Sequence, residues 1–381
     1  MFILFYITAG LLLVYGVLIG YYHYAWRHIP DFSPGNFQQW KATTRVTVII
    51  PARNEEINII PCLVSLSRQS YPLELLEVIV VNDHSTDNTE ELVRTFPAHN
   101  IKLINLSDYT GSHLLNSYKK KAIEVAIAAS AGDLIITTDA DCTASPDWLR
   151  CLTAFHHLTQ AALLVAPVKI NNTHSLLSIF QSVDFLTLQG ITGAAVSTKF
   201  HSMCNGANLT YEKKAFYEVG GFEGIDNIAS GDDMLLMHKI TSRYPNRYFF
   251  VKSEAAIVST KAVTSWKGFL QQRIRWASKS DKYTDKGIFV VLLLVYLLNV
   301  LLLLFLVAGL WNSSWWFFFL ILLVGKTILE YSFVRSVAVF YKQRRLMAYF
   351  PFLQPLHILY TVIAGWLGKF GSYDWKSRKV K

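Results

Sequence analysis

No Asp, Glu, Lys or Arg occurs between Met1 and Trp26, nor between Ile288 and Trp311, in a chain of 381 residues. The core of the second run reads VVLLLVYLLNVLLLLFLV. Roughly 20 consecutive apolar residues let a helix cross the hydrocarbon layer of a bilayer. Both runs meet that length, and their clustering excludes an ordinary soluble enzyme more firmly than the overall 52% hydrophobic content does. A third apolar segment, 315–339, opens on aromatic residues and is interrupted by Lys326, Glu330 and Arg335. A fourth, 346–368, is uncharged but carries Pro351 and Pro355.

The first run lacks a basic start and a small-residue cleavage site, so it is expected to be an anchor, not a cleaved signal. Arg27, Lys41 and Arg45 follow it and no basic residue precedes it. The positive-inside rule then places the middle of the chain in the cytoplasm, on the inner side of the plasma membrane. The basic stretch YKQRR after the third segment agrees. The tail, 369–381, does not: four crossings would leave its lysines and arginines outside. The two prolines keep the fourth segment open between a span and a re-entrant or interfacial helix. The net charge of +9 comes partly from these flanks, which suit anionic lipid headgroups. No nucleic-acid-binding motif accompanies the charge, and nucleic acid is not an expected partner. Cys62, Cys142, Cys151 and Cys204 show no C-x-x-C spacing and read as reduced thiols.

Between 45 and 286 short β-rich runs alternate with helical ones. RVTVIIPA, LEVIVVND, IKLINL and DLIITTDAD read as strands, separated by the helical patterns NIIPCLVSLSRQSY, DNTEELVRTF and YKKKAIEVAIAAS. The expected fold is α/β, a mostly parallel sheet covered by helices. Ligands bind such sheets at the carboxyl ends of the strands. Polar residues collect there: Arg53-Asn54-Glu55, Asn82-Asp83, and the pair Asp139 and Asp141. No G-x-G-x-x-G follows the first strand and no P-loop pattern occurs, so a glycine loop is not what holds phosphate. Two carboxylates one residue apart suit a hard cation, Mg²⁺ or Mn²⁺. On spacing alone, one aspartate capping the next loop and the other solvated remains equally open.

Seven ordered elements across residues 45–280 resemble the family 2 inverting glycosyltransferases, especially membrane-embedded members such as cellulose synthase, poly-N-acetylglucosamine synthase and ceramide glucosyltransferase. They are VIIPARNEE, VIVVNDHSTDNT, KKKAIEVA, TTDADC, CNGANLTYEKKAFYEVGGF, SGDDMLL and QQRIRW. The resemblance implies a nucleotide-diphospho-sugar transferase fold at 45–286. Apolar helices flank it at 1–26, 288–311 and 315–339, and a spanning or interfacial helix at 346–368 is followed by the basic tail. It also implies roles. Glu55, Asp83 and Lys121 match nucleotide-contacting positions. Asp139 matches the nucleotide side of the D-x-D pair and Asp141 the metal. Asp233 matches the general base, with Asp232 where glutamate is usual. Gln272, Arg275 and Trp276 match the Q-x-x-R-W motif near the diphosphate and the acceptor.

The chemistry suits these assignments. Sugar transfer needs a stabilised diphosphate leaving group, which a metal and Arg275 can supply. It also needs an activated acceptor hydroxyl, which a carboxylate base can supply. One base without a carboxylate nucleophile implies direct displacement with inversion. The expected donor is a nucleotide sugar, UDP-linked, and the acceptor a lipid, a lipid-linked saccharide or a growing polysaccharide. Two other readings stay open: an aspartyl phosphatase or phosphotransferase, which leaves QQRIRW without a role, and a non-catalytic membrane scaffold. Around the acceptor, Gly206 and Asn208 are expected to allow close backbone approach. Lys326 lies roughly 16 Å along its helix from Trp315, and Lys326 and Glu330 are one turn apart. Such a pair either lines a groove for acceptor or product, or forms an ion pair inside the bundle.

Overall fold

The computed structural model describes residues 1–110, 116–171, 175–201, 203–279, 285–370, 373–375 and 378–380. A long apolar helix, α1 (Phe2–His28), leads into the central region. There β1 (Val46–Ala52), α2 (Ile59–Ser67), β2 (Leu76–Asn82), α3 (Thr89–Arg94), β3 (Ile101–Asn105), α4 (Ser107–Thr110), α5 (Tyr118–Ala129) and β4 (Leu134–Thr137) alternate. Next come β5 (Thr143–Ala144), α6 (Trp148–Thr159), β6 (Leu163–Val165), β7 (Val168–Asn171), α7 (Leu176–Thr198), β8 (Leu209–Glu212), α8 (Lys213–Glu218) and α9 (Asp232–Arg243). The region closes with β9 (Tyr248–Phe250), β10 (Val258–Lys261) and α10 (Trp266–Ala277). Three further long helices follow: α11 (Lys286–Ala308), α12 (Ser314–Phe340) and α13 (Phe350–Phe370).

The main sheet has seven strands in the order β3-β2-β1-β4-β8-β6-β9. Strands β1 to β4 are parallel, and β8 runs antiparallel to both β4 and β6. Val48, Ile49 and Ile50 on β1 are fully buried, because helices cover both faces of the sheet. Each such side chain contributes about 1.5–3 kcal/mol of transfer free energy. The β1–β2 register pairs Ala52 with Asn82, so Arg53 and Asp83 leave the sheet side by side. A smaller sheet, β5-β10-β7, stands beside the end of β4.

Helix α7 joins this domain to the apolar helices and is buried along most of its length. Glycines permit the close approach. A Cβ on Gly190 would lie 2.4 Å from Val337 of α12, and one on Gly193 would lie 2.7 Å from Trp26 of α1. Helices α1, α12 and α13, and Gly287–Ala308 within α11, are each long and apolar enough to cross a membrane.

Pro355 lies inside α13 without ending it. The second half of α13 follows α10. The Tyr360 ring is 5.3 Å from that of Phe269, and a Cβ on Gly368 would meet the Ala277 Cβ at 2.7 Å. The Lys326–Glu330 pair is closed on itself. Lys326 Nζ is 2.7 Å from Glu330 Oε1 and donates to Gln354 Oε1 at 2.8 Å. Gln354 donates to Glu330 Oε2 at 2.5 Å, and the Tyr15 hydroxyl donates to Glu330 Oε1. Lys326 is 1% exposed. Of the two readings of this pair, the arrangement matches the ion pair inside the bundle: side chains from α1, α12 and α13 satisfy both charges there.

Candidate active site

The short β4 ends at Thr137, and the chain turns immediately, Cys142 N–H donating to the Asp139 carbonyl at 3.1 Å. The turn brings the Asp139 and Asp141 carboxylates and the Cys142 thiol within 4.8 Å of one another. Thr260 on β10 donates to Asp141 Oδ2 at 3.1 Å. Burial raises the Asp141 carboxyl above its ordinary value, and Asp139 and Glu55 push it further the same way. Such mutual repulsion between carboxylates is what a divalent cation relieves. The Cys142 thiol is pushed well up by burial and by the two aspartates, so it stays protonated. The donor set is thus two hard carboxylates, which fits Mg²⁺ or Mn²⁺.

The three lysines of the KKK run separate onto different faces of α5. Lys119 Nζ is 2.8 Å from Asp139 Oδ1 and 3.3 Å from Asp232 Oδ2, bridging the two acidic motifs. Burial would lower this ammonium, but Asp139 and Asp232 outweigh it and hold it protonated. Lys120 donates to the carbonyls of Ile225 at 2.7 Å, Ile228 at 2.5 Å and Ser230 at 3.2 Å. Lys121 points outward to Glu124 at 2.9 Å. Lys121, the lysine expected at the nucleotide, thus faces away from the acidic cluster, and Lys119 faces it. Helical phase is the reason, since Lys119 shares the inward face with Ala122 and Ala126.

Asp232 and Asp233 open α9, preceded by Gly231 at φ 81°. Asp233 Oδ2 accepts from Gly206 N–H at 3.0 Å and Oδ1 from Met234 N–H at 2.7 Å. Burial alone would raise its carboxyl. Lys279, Lys119 and the two backbone donors outweigh burial and hold it below the usual carboxylate range. Gly206 is small for a reason: a Cβ there would lie 3.2 Å from Asp232 Oδ2 and 3.6 Å from Lys119 Nζ. Asn208 is different. It donates to the Pro167 and Ala256 carbonyls at 2.8 Å each and accepts from Trp148 at 3.0 Å, a fully buried staple.

The Q-x-x-R-W helix α10 reaches this centre through Arg275, whose Nη1 donates to Ser230 Oγ at 3.3 Å, one residue before Gly231. Trp276 lies between the Phe185 ring, 6.2 Å away, and the Arg273 guanidinium, 4.2 Å from its centroid. Gln272 accepts from Arg273 at 3.0 Å. Lys279, one turn beyond Arg275, is 8% exposed; burial lowers its ammonium while Asp233 opposes the shift. Lys279 and Lys119 were not singled out in the sequence, although Lys119 opens the KKKAIEVA motif and Lys279 lies three residues beyond QQRIRW. At the opposite edge, Asp83 is 3% exposed, with Arg53 Nη1 at 4.0 Å and His84 Nδ1 at 2.9 Å. Glu55 accepts from Asn58 at 2.7 Å. The residues after β1, β2 and β4 thus form one edge running from Asp83 and Glu55, past Asp139 and Asp141, to Asp232 and Asp233 at the start of α9.

Two family models match this chain: Glycosyl transferase family 2 over residues 47–220, and Glycosyl transferase family group 2 over residues 134–367. Among curated proteins, a probable glycosyltransferase YdaM of Bacillus subtilis is 28% identical over 265 residues, covering 68% of this chain and 60% of the relative. A poly-beta-1,6-N-acetyl-D-glucosamine synthase of Staphylococcus aureus is 25% identical, covering 61% of this chain and 53% of the relative. The chain thus spans between half and two thirds of the length of these two relatives. The solved mannosyltransferase PcManGT of Pyrobaculum calidifontis, in complex with GDP-Man and Mn²⁺, superposes with a TM-score of 0.54. It is 19% identical over 94% of this chain and 97% of that one, a likeness of fold. With the second family model spanning more than half its length, the chain belongs to glycosyl transferase family group 2.

Proposed function

We propose that this enzyme transfers a sugar from a nucleotide sugar, a UDP-sugar in our reading, to a lipid, lipid-linked or polysaccharide acceptor at a membrane. Displacement is direct and inverts the anomeric centre. The observation that carries this reading is Lys119 bridging Asp139 and Asp232, because it joins the leaving-group end of the site to the base end.

Asp83 and Glu55 form the nucleoside end. Asp139 and Asp141 would hold Mg²⁺ or Mn²⁺, which supplies charge neutralisation to the departing diphosphate. Lys119 and Arg275 add cationic donors beside it. Asp233, ionised by its lysine neighbours, accepts the proton of the acceptor hydroxyl as that oxygen attacks the anomeric carbon and the bond to the diphosphate breaks. Gln272 and Trp276 border the acceptor side.

Membranes carrying the full chain are incubated with radiolabelled UDP-glucose or UDP-N-acetylglucosamine and Mn²⁺, and products are counted by mass spectrometry. Asp233→Asn is expected to lower transfer on the order of 100- to 10,000-fold while UDP binding persists. Phosphate release without sugar transfer would instead support phosphatase chemistry and sink the proposal.

A further inference from the structure

At the end of α12 nearest the catalytic domain the chain reverses direction. Tyr341 N–H still donates to the Val337 carbonyl at 3.1 Å, Lys342 takes a left-handed φ of 57°, and Gln343 N–H returns to the Ala338 carbonyl at 2.8 Å. Gln343 also donates through its side chain to the Ile170 carbonyl on β7 at 3.1 Å, fixing the turn to the domain. A short 3₁₀ helix, Arg344–Ala348, then runs back beside α12. This reversal sets Arg344 and Arg345 next to Arg335 around a cleft of about 980 Å³, bordered by Tyr331 and Leu346.

Two features of the cleft point to a ligand. Arg335, Arg344 and Arg345 are exposed, and none has an ion-pair partner among the described residues. Lys342, on the same rim, is neutralised by Glu254 at 2.5 Å, so the turn pairs a cation where an acid is within reach. The second feature is depth. Arg335 lies roughly 7.5 Å inside the end of an apolar helix at 1.5 Å per residue. A guanidinium at that depth on a membrane helix needs an anion or water. Planar guanidinium groups suit a phosphate through paired N–H donors. Exposed apolar residues flank them, Val339 on the rim and Phe352 beyond it.

We propose that this cleft binds the headgroup of an anionic membrane phospholipid, its phosphate held by Arg335, Arg344 and Arg345 and its chains lying along α12. The proposal rests on reading α12 as a membrane helix and is independent of the transfer chemistry. Asp139, Asp141 and Asp233 do not line the cleft, and the lipid proposed here is a bound structural ligand and not the sugar acceptor.

The test uses the full chain in nanodiscs of phosphatidylcholine, with phosphatidylglycerol titrated in. Lipid retention is read by native mass spectrometry and the thermal midpoint by intrinsic fluorescence. Phosphatidylglycerol is expected to be retained and to raise the midpoint. The triple variant R335Q/R344Q/R345Q should weaken retention on the order of 100-fold, given the worth of each basic residue near an anionic surface. Circular dichroism of the variant in phosphatidylcholine alone should match the parent. Equal retention of the two lipids, or an unchanged affinity in the triple variant, overturns the proposal. So does an equal midpoint shift from inorganic phosphate alone, which would mark a free-anion site.

Discussion

Lys120 reaches from the first turn of α5 to three backbone carbonyls in the stretch leading to Gly231 and Asp233, the proposed base. It is therefore a positioning residue, acting on the base through the loop. Burial lowers its ammonium to about 8, with Asp232 opposing and Lys279 assisting. The folded value lies below the unfolded one of about 10.4, so between those values the unfolded chain holds the extra proton. The sign follows: over that window Lys120's own contribution to stability rises with pH. The three carbonyl contacts, however, need the charged form. Transfer is expected to fall as pH climbs through about 8 with no matching loss of thermal stability from this group. Lys120→Met should lower the rate at neutral pH and flatten that alkaline limb, while Lys120→Arg should keep part of it. Coincident pH–rate profiles for parent and Lys120→Met would tell against the role. Such a contact could not be read from KKKAIEVA. Helical phase could have separated Lys119 from Lys121, but a carbonyl cage formed by residues a hundred positions later leaves no local pattern. Asp139, Asp141 and Asp233 were legible because each follows a strand or opens a helix within its own motif.

Helix α10 shows the same division at the level of an element. Its Q-x-x-R-W spacing was readable, and so was an amphipathic helix near the membrane. The residue that anchors it, Arg273, lies inside the motif at a variable position. Arg273 Nη2 is 2.6 Å from Asp184 Oδ2 on α7, and both side chains are 4% exposed. Tyr360 of α13 donates its hydroxyl to the other oxygen of Asp184, Oδ1, and His357 Nε2 is 3.9 Å from that oxygen. One buried pair thus ties three helices together and sets the angle at which Arg275 meets Ser230. Removing one partner of a buried pair leaves an uncompensated charge and costs about 3–5 kcal/mol, whereas replacing both with apolar residues costs much less. Arg273→Met alone should therefore lower the thermal midpoint in detergent markedly, and Arg273→Met with Asp184→Leu should recover most of the loss. Equal midpoints for the single and double variants would show that the pair is not the anchor. The strands of the main sheet needed no such partner to be legible, since continuous apolar runs such as VTVII and VIVV are buried by whatever helices cover them.

Across the whole molecule, the arrangement of apolar helices bears on the charge conflict at the tail. Helix α12 ends against the domain, where Gln343 binds Ile170 and Lys342 pairs with Glu254. The chain then enters α13, whose Gln354 reaches Lys326 and Glu330 inside the bundle. From Tyr360 to Gly368 α13 runs beside α10, an element of the catalytic domain, instead of leading away from it. The strand Tyr373–Trp375 then follows on the α10 side as well. We infer that the chain enters the bundle through the 3₁₀ helix Arg344–Ala348 and that α13 leads back to the domain without a full crossing. With α1, α11 and α12 as three crossings, the basic tail would fall on the side of the catalytic domain, as its lysines and arginines favour. A cysteine placed after Lys381 should therefore resist a membrane-impermeant maleimide on intact cells and react after lysis. A second chain carrying Asn312→Cys, in the turn between α11 and α12, should react before lysis. Labelling of the tail cysteine on intact cells would restore four crossings and place α13 among the spans. The closed network of Tyr15, Lys326, Glu330 and Gln354 fits the three-crossing arrangement, because it holds the entering end of α13 inside the bundle at the depth where an unpaired charge is most costly.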